Sequence, residues 1–438
     1  MDQPATEAAA GPAGERLGLG ANWRQFWLLV VVNAFVGGMV GLERTITPLL
    51  AERQFGLKSQ TATLAFIATF GIVKALANLV AGRLGDRLGR KRVLVAGWLF
   101  GLPVPLIVIW APSWSWIIAA NVLLGINQGL AWSTTVIMKI DLVGSRKRGL
   151  AMGLNEFAGY LAVALAAFAT GEIANRFGLR PEPFYLGIGF AVVGLLLSLL
   201  LVRDTLPHVH HEQSRKRQSG GATPTAGAVL KLASWRHPAL SAASQAGLVN
   251  NLNDGVAWGL FPLYFAASGL SIHQIGMLAA VYPATWGIGQ LATGALSDRA
   301  GRKWLIVWGM VLQGLALIGM VVVTGFAAWF AWGALLGVGT SMVYPTLLAV
   351  VADVTQSAWR ASAMGEYRFW RDLGYAAGAL VGGLLADTFG MSLAIGAIGG
   401  LTIASGILVA ARMPETADLR RGPEHVVTAE GQRGVLAP

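Results

Sequence analysis

Between two long apolar segments the chain reads Gly82-Arg83-Leu84-Gly85-Asp86-Arg87-Leu88-Gly89-Arg90-Lys91-Arg92. A second copy follows a later apolar pair as Gly294-Ala295-Leu296-Ser297-Asp298-Arg299-Ala300-Gly301-Arg302-Lys303, which places Asp298 212 residues after Asp86. The same offset relates Asp141 to Asp353, Arg148 to Arg360 and Phe177 to Phe389. A repeat of this length predicts one structural unit that is used twice.

Composition restricts the fold to a protein embedded in lipid. Only 13% of the 438 residues are charged and 55% are apolar, whereas a soluble domain carries about 25% charged residues. Twelve apolar segments of roughly 18–25 residues can be counted, and each could cross a hydrocarbon core of about 30 Å as a helix. No segment alternates like the strands of a barrel, and only helices and closed barrels satisfy the backbone in lipid. We therefore predict an all-α membrane protein with twelve transmembrane helices in two six-helix bundles.

The repeat divides the chain into two halves joined by a polar linker. We predict a disordered tail over 1–22, an N-terminal six-helix bundle over 23–202, a linker over 203–235, a C-terminal bundle over 236–411 and a disordered tail over 412–438. The twelve predicted spans cover 23–50, 61–82, 93–110, 116–140, 149–173, 184–202, 238–267, 273–296, 304–324, 327–351, 360–386 and 391–411.

Basic residues are concentrated in loops that the repeat places on one side of the membrane. The net charge is +11. Because Lys and Arg gather in the short loops 83–92, 144–148 and 299–303, the positive-inside rule explains this charge better than nucleic-acid binding does. We expect both termini in the cytoplasm and the protein in a bacterial inner membrane. Residues 1–22 contain no apolar signal segment, and the absence of cysteine excludes disulfides and thiolate metal sites.

Charged residues inside the spans are confined to certain helices. Spans 3, 6, 9 and 12 carry none in their interiors, and spans 4, 8 and 10 contribute uncharged polar groups instead. Each unpaired charge at mid-bilayer costs about 2.5–3.5 kcal/mol, so we expect the charged residues inside the spans to have a function. We expect eight helices to line a watery cavity and spans 3, 6, 9 and 12 to face lipid, as in transporters built from repeats. The charges are Glu43, Arg44, Lys74, Glu156, Asp254, Glu366, Arg368, Arg371 and Asp372.

The two basic loops resemble the cytoplasmic signature of the major facilitator superfamily, Gly-x-Leu-[Gly/Ala/Ser]-Asp-Arg-x-Gly-Arg-[Lys/Arg]. The match occurs twice, after spans 2 and 8, and the resemblance covers residues 23–411. It implies two six-helix bundles that alternate access to a central cavity, and loops that latch helices and regulate opening. A purely topological anchor is the alternative for these loops. The latch residues that the resemblance implies are Asp86, Arg87, Arg90, Asp298, Arg299 and Arg302.

The chain also departs from patterns that are common in this family. Gly125 stands three residues before Gln128 in span 4, where proton-linked members often carry arginine. Span 5 has several glycines but lacks the proline of the Gly-Pro-x-x-Gly-Gly pattern that drug-efflux antiporters often show. Both departures argue against drug–proton antiport of the common kind.

Span 11 carries the richest group of candidate site residues. Arg368, Arg371, Asp372 and Tyr375 recur at helical spacing and share one face of the helix. We expect Arg371 to lie about 16 Å into the membrane, and Arg368 to pair with Asp372 within the helix. This face suits an anionic solute, or a proton switch in which protonation of Asp372 releases an arginine. The alternative is a self-neutralising network that holds the two halves together.

Further candidate positions lie in spans 1, 2, 5 and 7. Asp254 stands among three asparagines, which predicts either bound water or a ligand, or an interhelical hydrogen-bond cluster. Glu43 and Arg44 are either a gate pair or supply a coupling acid, or they form a pair that snorkels at the outer edge. Lys74 either belongs to the site or snorkels to the basic loop. Glu156 corresponds in the repeat to an arginine of span 11, and this suits a gate between the halves.

Aromatic side chains on the cavity helices could stack on an aromatic or cationic solute, and core packing explains them equally well. These candidates are Trp258, Tyr282, Trp286, Trp370 and Tyr375. The linker histidines His208, His210 and His211 are interpreted as a solvated cluster rather than as metal ligands. Because no phosphate loop, hydrolase elbow or zinc signature is present, we expect no cofactor, no metal and no enzymatic activity.

Together these features predict a monomeric secondary transporter that works with a small solute, protons and the lipid bilayer. We expect alternating access coupled to protonation of Asp254, Asp372 or Glu43, in the direction of export. The intramembrane arginines favour an anionic or zwitterionic solute, and the aromatic residues leave an amphipathic one open. One alternative is an importer of organic anions on the same fold. Another is a non-transporting membrane sensor, which the cost of the buried charges disfavours.

Overall fold

A computed structural model describes residues 18–143, 148–206, 225–356 and 359–417 of the chain, and these ranges contain helices and no strand. Twelve long helices, numbered α1 to α12, correspond in order to the twelve predicted spans. The predicted disordered tails lie mostly outside the described residues, as do the linker histidines and part of the loop 144–148.

The N-terminal half contains α1 to α6. The helices α1, α2 and α5 are continuous and extend beyond the predicted spans. In contrast, α3 is interrupted near Pro103, and α4 and α6 contain π-helical turns. The bounds are Leu19–Arg53 for α1, Gln60–Leu88 for α2, Arg90–Trp110 for α3, Trp114–Asn127 with a π turn Gln128–Trp132 and Ser133–Val143 for α4, Arg148–Phe177 for α5, and Glu182–Leu201 for α6.

The C-terminal half contains α7 to α12 and follows a short linker helix. That helix runs over Ala226–Lys231 and continues as a π turn over Leu232–Arg236, so the end of the predicted linker is helical. The bounds are Pro238–Ala267 for α7, Ile272–Ala300 for α8, Lys303–Val322 for α9, Phe326–Asp353 for α10, Arg360–Phe389 for α11, and Met391–Arg412 for α12.

The repeated signature is mostly helical, and each copy reverses the chain at a single glycine. α2 continues through Asp86 to Leu88, and α3 begins at Arg90 after Gly89. Gly89 and Gly301 both have φ of +92°, a backbone conformation that glycine adopts without the clash of a Cβ atom. The glycine of the signature therefore sets the tight turn between consecutive helices.

The two halves pack against each other through a few helices. α2 packs along α11 and α5 packs along α8, while α1 contacts α7 between these two pairs. α3, α6, α9 and α12 pack chiefly within their own halves and expose large apolar side chains such as Leu99, Leu200, Trp308 and Ile407. This arrangement agrees with the expectation that every third helix faces lipid. Eight helices, including these four, are long and apolar enough to cross a membrane.

The halves are joined closely at the end that lies opposite the basic loops. Asp387 of α11 accepts a hydrogen bond from the Ser59 hydroxyl at 2.8 Å and from the backbone N–H of Gln60 at 2.5 Å, at the start of α2. On the other side of the molecule, Glu172 of α5 contacts His273 of α8 at 2.6 Å. Polar contacts between the halves therefore flank this end, which we call the closed end.

The same helix pairs separate towards the basic loops. At the closed end, a Cβ atom added to Gly171 of α5 would stand 2.8 Å from Cα of Gly276 in α8, so these backbones nearly touch. Nearer the basic loops, a Cβ on four glycines of α2, α5, α8 and α11 would meet no described atom within 4 Å. These are Gly82, Gly153, Gly294 and Gly365. The interface between the halves is thus tight at the closed end and loose at the other.

Candidate functional site

A buried ion pair joins the two halves at the centre of their interface. Arg44 of α1 donates two hydrogen bonds to Asp254 of α7, with N–O distances of 2.6 Å and 2.8 Å. Only 2% of Arg44 and none of Asp254 is exposed. Bidentate geometry of this kind is the strongest arrangement of an arginine with a carboxylate. Both residues are candidates from the sequence, but their pairing is not predictable from it because they lie 210 positions apart.

Glu43 does not share the environment of its neighbour Arg44. Its side chain is buried, and its carboxyl oxygens make no hydrogen bond of good geometry with a described residue, although the Asn121 side chain of α4 is near enough to interact. The expected gate pair between Glu43 and Arg44 is therefore not formed, because the Arg44 guanidinium binds Asp254 of the other half instead. The alternative of an outer-edge pair that snorkels to water is also wrong, since both side chains are buried.

Asp372 of α11 is the second point at which charges meet across the interface. Within its own half it accepts hydrogen bonds from Arg371 at 2.7 Å and from Asn251 at 3.3 Å. From the other half it accepts a hydrogen bond from Asn78 of α2, and the ammonium group of Lys74 lies 4.0 Å away. A single buried carboxylate thus connects α2, α7 and α11.

The arginines of α11 differ from the predicted arrangement. Arg371, and not Arg368, pairs with Asp372, so the expected intrahelical pair at i and i+4 is wrong. Arg371 also donates to the Tyr344 hydroxyl of α10. Arg368 reaches across the interface, where its guanidinium lies 3.4 Å from the Ser133 hydroxyl of α4. Packing against α10 turns Arg371 towards its neighbour and leaves Arg368 facing the N-terminal half.

Lys74 is held between aromatic rings. Its ammonium nitrogen lies 5.1 Å from the ring centre of Tyr375, 5.4 Å from that of Phe70 and 5.7 Å from that of Trp132. The side chain is buried at the interface and does not snorkel to the basic loop. Only Tyr375 of these rings was a candidate in the sequence, because Phe70 and Trp132 carry no polar signal that distinguishes them from core residues.

Glu156 belongs to a polar network inside the N-terminal half. One of its oxygens accepts hydrogen bonds from the Trp132 indole at 3.0 Å and from Asn155 at 3.1 Å. Both Glu156 and Arg368 are described, and no ion pair joins them, so the expected gate between this acid and its repeat counterpart is not formed. Trp132, bound to Glu156, and Ser133, bound to Arg368, are neighbours on α4, which separates the two charges.

Sequence analysis missed Lys139 of α4, which is fully buried. Its ammonium group donates to the backbone carbonyl of Leu29 in α1 at 2.9 Å. Asp141 and the adjacent basic loop made Lys139 resemble an ordinary charge at a helix end. Its spacing of four residues from Thr135 places Lys139 on the same face of the helix as that polar residue. This spacing is the sequence feature that could have identified Lys139, and the Thr135 hydroxyl indeed donates to Asn33 at 2.9 Å.

Two groups of aromatic residues cross the interface beside these charges. Trp286 of α8 stacks on Tyr160 of α5 with ring centres 3.5 Å apart, and it contacts Tyr282 at 5.8 Å. Trp258 of α7 lies 5.1 Å from the ring of Phe70 in α2 and packs under the Arg44 guanidinium. Aromatic contacts between the halves therefore join α5 to α8 and α2 to α7.

Trp370 is the candidate that the structure removes from the interface. Its indole donates to the Ser234 hydroxyl of the linker helix at 3.0 Å, and its ring packs on Phe369. Trp370 therefore contacts the linker helix, whereas Arg371 binds Tyr344 and Asp372 binds Asn78. We interpret it as an anchor for the linker helix.

The repeated loops form matched ion-pair networks within each half. In the first, Arg90 contacts Asp86 at 2.7 Å and Asp141 at 3.5 Å, and Asp204 accepts from the backbone N–H of Arg90 at 3.2 Å. Each network ties the end of one helix to the start of the next and to the residues that follow the sixth helix of its half. These contacts therefore join helices of one bundle, and the role of the loops in opening stays a prediction. Arg87 is exposed.

The second network repeats this arrangement with different residues. Arg302 contacts Asp353 at 3.1 Å, and Glu415 accepts from the backbone N–H groups of Arg302 at 2.8 Å and Lys303 at 3.1 Å. Burial raises the pKa of Glu415, but these backbone hydrogen bonds outweigh it and hold the pKa below its usual value. Arg299 is exposed, and the side chain of Asp298 lies outside the described part of the structure.

The two halves contact each other along two helix pairs, bury charges between them and pack loosely at one end. This architecture is typical of membrane transporters built from repeats. The described residues contain no cluster of His, Asp or Glu that could hold a metal ion. A sequence model of the Major Facilitator Superfamily matches residues 26–247 and 243–433. The chain belongs to this family, so it is a membrane-spanning transporter and not an enzyme.

Similar proteins agree with this assignment. The chain is 23% identical over 385 residues to the multidrug resistance protein MdtG of Citrobacter koseri, covering 84% of this chain and 90% of that protein. The corresponding identity to MdtG of Salmonella choleraesuis is 25% over 387 residues, with the same coverage. The fold matches a peptide transporter POT in complex with sulfate, with a TM-score of 0.70, 14% identity and coverage of 89% and 94%. It also matches that transporter in complex with alafosfalin, with a TM-score of 0.71, 14% identity and coverage of 91% and 96%.

Proposed function

We propose that this protein is a proton-coupled exporter that moves a small solute across a bacterial inner membrane by alternating access. The observation that carries the proposal is the buried ion pair between Arg44 and Asp254, which lies between halves that must separate if the cavity is to open at the closed end. Both termini would lie in the cytoplasm with the basic loops. The described conformation would then open towards the cytoplasm.

Charge energetics give the reason for proton coupling. Separating a buried ion pair without compensation costs about 3–5 kcal/mol, because each charge is left in a low dielectric. Protonation of Asp254 or Asp372 would weaken the contacts that join the halves and would free Arg44 or Arg371. Glu43 is buried beside the first pair and makes no hydrogen bond of good geometry with a described residue, and such a group is accommodated most easily when it is uncharged.

Export is supported by the relatives, which are named as multidrug resistance proteins. The cationic groups Lys74, Arg368 and Arg371 near the interface favour a cargo with an acidic group. An anionic cargo would also suit an importer, so the direction of transport is a separate outcome of the experiment below.

The experiment measures solute flux through the purified full-length protein in liposomes that carry a pH gradient. A panel of radiolabelled acidic, zwitterionic and amphipathic solutes is offered on each side of the membrane in turn. We expect one class to move against its gradient only when protons move the other way, and Asp254→Asn to abolish coupled flux. Glu52→Gln, at an exposed acid on the same helix as Glu43, is the matched control. Flux that ignores the pH gradient would refute proton coupling, and uptake in the direction of the protons would refute export.

A further inference from the structure

We propose that the Lys74 ammonium group fills a cation-binding cage of aromatic rings between the halves, and that it thereby excludes organic cations from this position. Lys74 would thereby be a specificity-determining residue. The specificity part rests on the proposed transport function, because specificity presupposes a cargo. The cage itself can be tested without transport.

The cage has the composition of a site for an ammonium group. Three rings, those of Phe70, Trp132 and Tyr375, surround the Lys74 nitrogen at 5.1–5.7 Å from their centres. Distances of this size to several ring faces are typical of sites that bind quaternary ammonium groups. One carboxylate, that of Asp372, lies 4.0 Å from the same nitrogen. Rings from α2, α4 and α11 contribute, so the cage is shared by both halves of the protein.

The walls of the cage are held in place by contacts that do not involve Lys74. The rings of Phe70 and Tyr375 meet edge to face with centres 5.5 Å apart. The Trp132 indole is fixed by its hydrogen bond of 3.0 Å to Glu156. Asp372 is bound by Arg371 at 2.7 Å. Removal of the lysine side chain should therefore leave a preformed site rather than a collapsed one.

The tether of Lys74 explains how the cage could select cargo. Its ammonium group is attached to α2, so it competes at the high effective concentration of an intramolecular ligand. A free organic cation would have to displace this group and leave it buried without its rings and its carboxylate, which is costly. An acidic cargo group could instead pair with Lys74 where it stands. With Lys74 in place, the cage therefore disfavours cations and accommodates an acidic group.

Lys139 is a natural control because it is an equally buried lysine with a different environment. Its ammonium group is bound by a backbone carbonyl at 2.9 Å, and the cation–π contacts of the described chain include none with it. A site of that kind needs an N–H donor. A quaternary ammonium ion has no N–H group, so it should occupy the space left by Lys74 but not the space left by Lys139.

The test is thermal unfolding of the purified full-length protein in detergent with tetramethylammonium chloride. Sodium chloride at the same ionic strength controls for salt, and tert-butanol is an uncharged molecule of similar shape. The proteins are the wild type, Lys74→Ala, Lys74→Met and Lys139→Ala. Lys74→Met conserves volume and therefore the fold, and the flexible thioether can move aside.

We expect tetramethylammonium to raise the unfolding temperature of both Lys74 variants, with a half-saturating concentration lower than in the wild type by about tenfold or more. Tert-butanol should have no such effect, and Lys139→Ala should respond no more strongly than the wild type. The proposal is overturned if no folded Lys74 variant responds, if the wild type responds equally, or if tert-butanol acts as well as the cation. A cation response in the variants together with no flux in liposomes would leave the cage standing and refute the transport proposal.

Discussion

Breaking the ion pair between Arg44 and Asp254 from one side should destabilise the protein more than removing both charges together. The pair makes two charge-assisted hydrogen bonds, at 2.6 Å and 2.8 Å, in a site from which water is excluded. Removing one partner of such a pair costs about 3–5 kcal/mol, because the other charge stays buried and uncompensated. Replacing both with uncharged groups removes that penalty.

A double-mutant cycle measures this difference. The variants are Arg44→Met, Asp254→Asn and the double variant, and the measured quantity is the free energy of unfolding in mixed detergent micelles. We expect a loss of about 3–4 kcal/mol for each single variant and a smaller loss of about 2 kcal/mol for the double variant, which corresponds to a coupling energy of about 4–6 kcal/mol, within the range measured for close charge pairs. A coupling energy below about 0.5 kcal/mol, the value expected of independent sites, would refute the assignment of these residues as an ion pair.

The same variants should also loosen the closed end. The chain contains no cysteine, so one introduced thiol can be followed without background. Leu64 of α2 is suitable because it is fully buried and packs against Gly259 of α7 in the other half. We expect maleimide to label Leu64→Cys several times faster in the Arg44→Met background, since an opened interface admits the reagent. Unchanged labelling would mean that the ion pair stabilises the protein without holding the halves together.

Three further predictions concern other parts of the molecule. Glu415→Gln should lower the unfolding temperature at neutral pH, by the equivalent of about 1 kcal/mol for a lost helix cap. Because the folded pKa of Glu415 is held below its usual value, this stabilisation exists above the unfolded pKa of about 4.3 and disappears as the pH falls through the folded pKa; a difference from wild type that persists in acid would contradict this. Gly276→Leu should keep the closed end apart, because even a Cβ there would stand 3.1 Å from Cα of Gly171, and thiol labelling of Leu64→Cys should then accelerate, whereas slower labelling would argue against this packing. Lys139→Met should raise the free energy of unfolding by about 1 kcal/mol, because an unpaired buried ammonium is replaced by an apolar side chain of similar size; a loss of stability in chemical unfolding would show that the bond to the Leu29 carbonyl outweighs that cost.

The number and approximate positions of the helices could be predicted from the sequence because they follow from apolar segments and a motif that repeat along the chain. The apolar segments located all twelve helices, and the repeated signature marked two of the connections between them. Helix ends were less accurate. α1 begins at Leu19, before the predicted span, and α2 extends to Leu88 through the signature itself. Polar residues can continue a helix beyond the apolar core of the bilayer, and hydropathy does not report where they stop.

The site residues were recognised by type, but their partners were not. Arg44 and Asp254 were both candidates, since an unpaired charge in the membrane is costly wherever it stands. Their pairing depends on the rotation and depth of α1 and α7, which are set by packing between halves. Arg368 illustrates the same limit. Its spacing from Asp372 permits an intrahelical pair, but contacts with α4 and α10 decide that Arg371 takes that place.

By itself the sequence determined the membrane location, the helix count, the two-fold repeat and the set of residues that carry charge into the interior. These properties follow from hydropathy and periodicity, which act over a few turns of helix. Only the tertiary structure decided that Lys74 lies among three aromatic rings, that Trp370 binds the linker helix and that one end of the interface is closed. Such properties depend on which helix faces meet, and in a closely packed interior that is fixed jointly by side chains hundreds of residues apart.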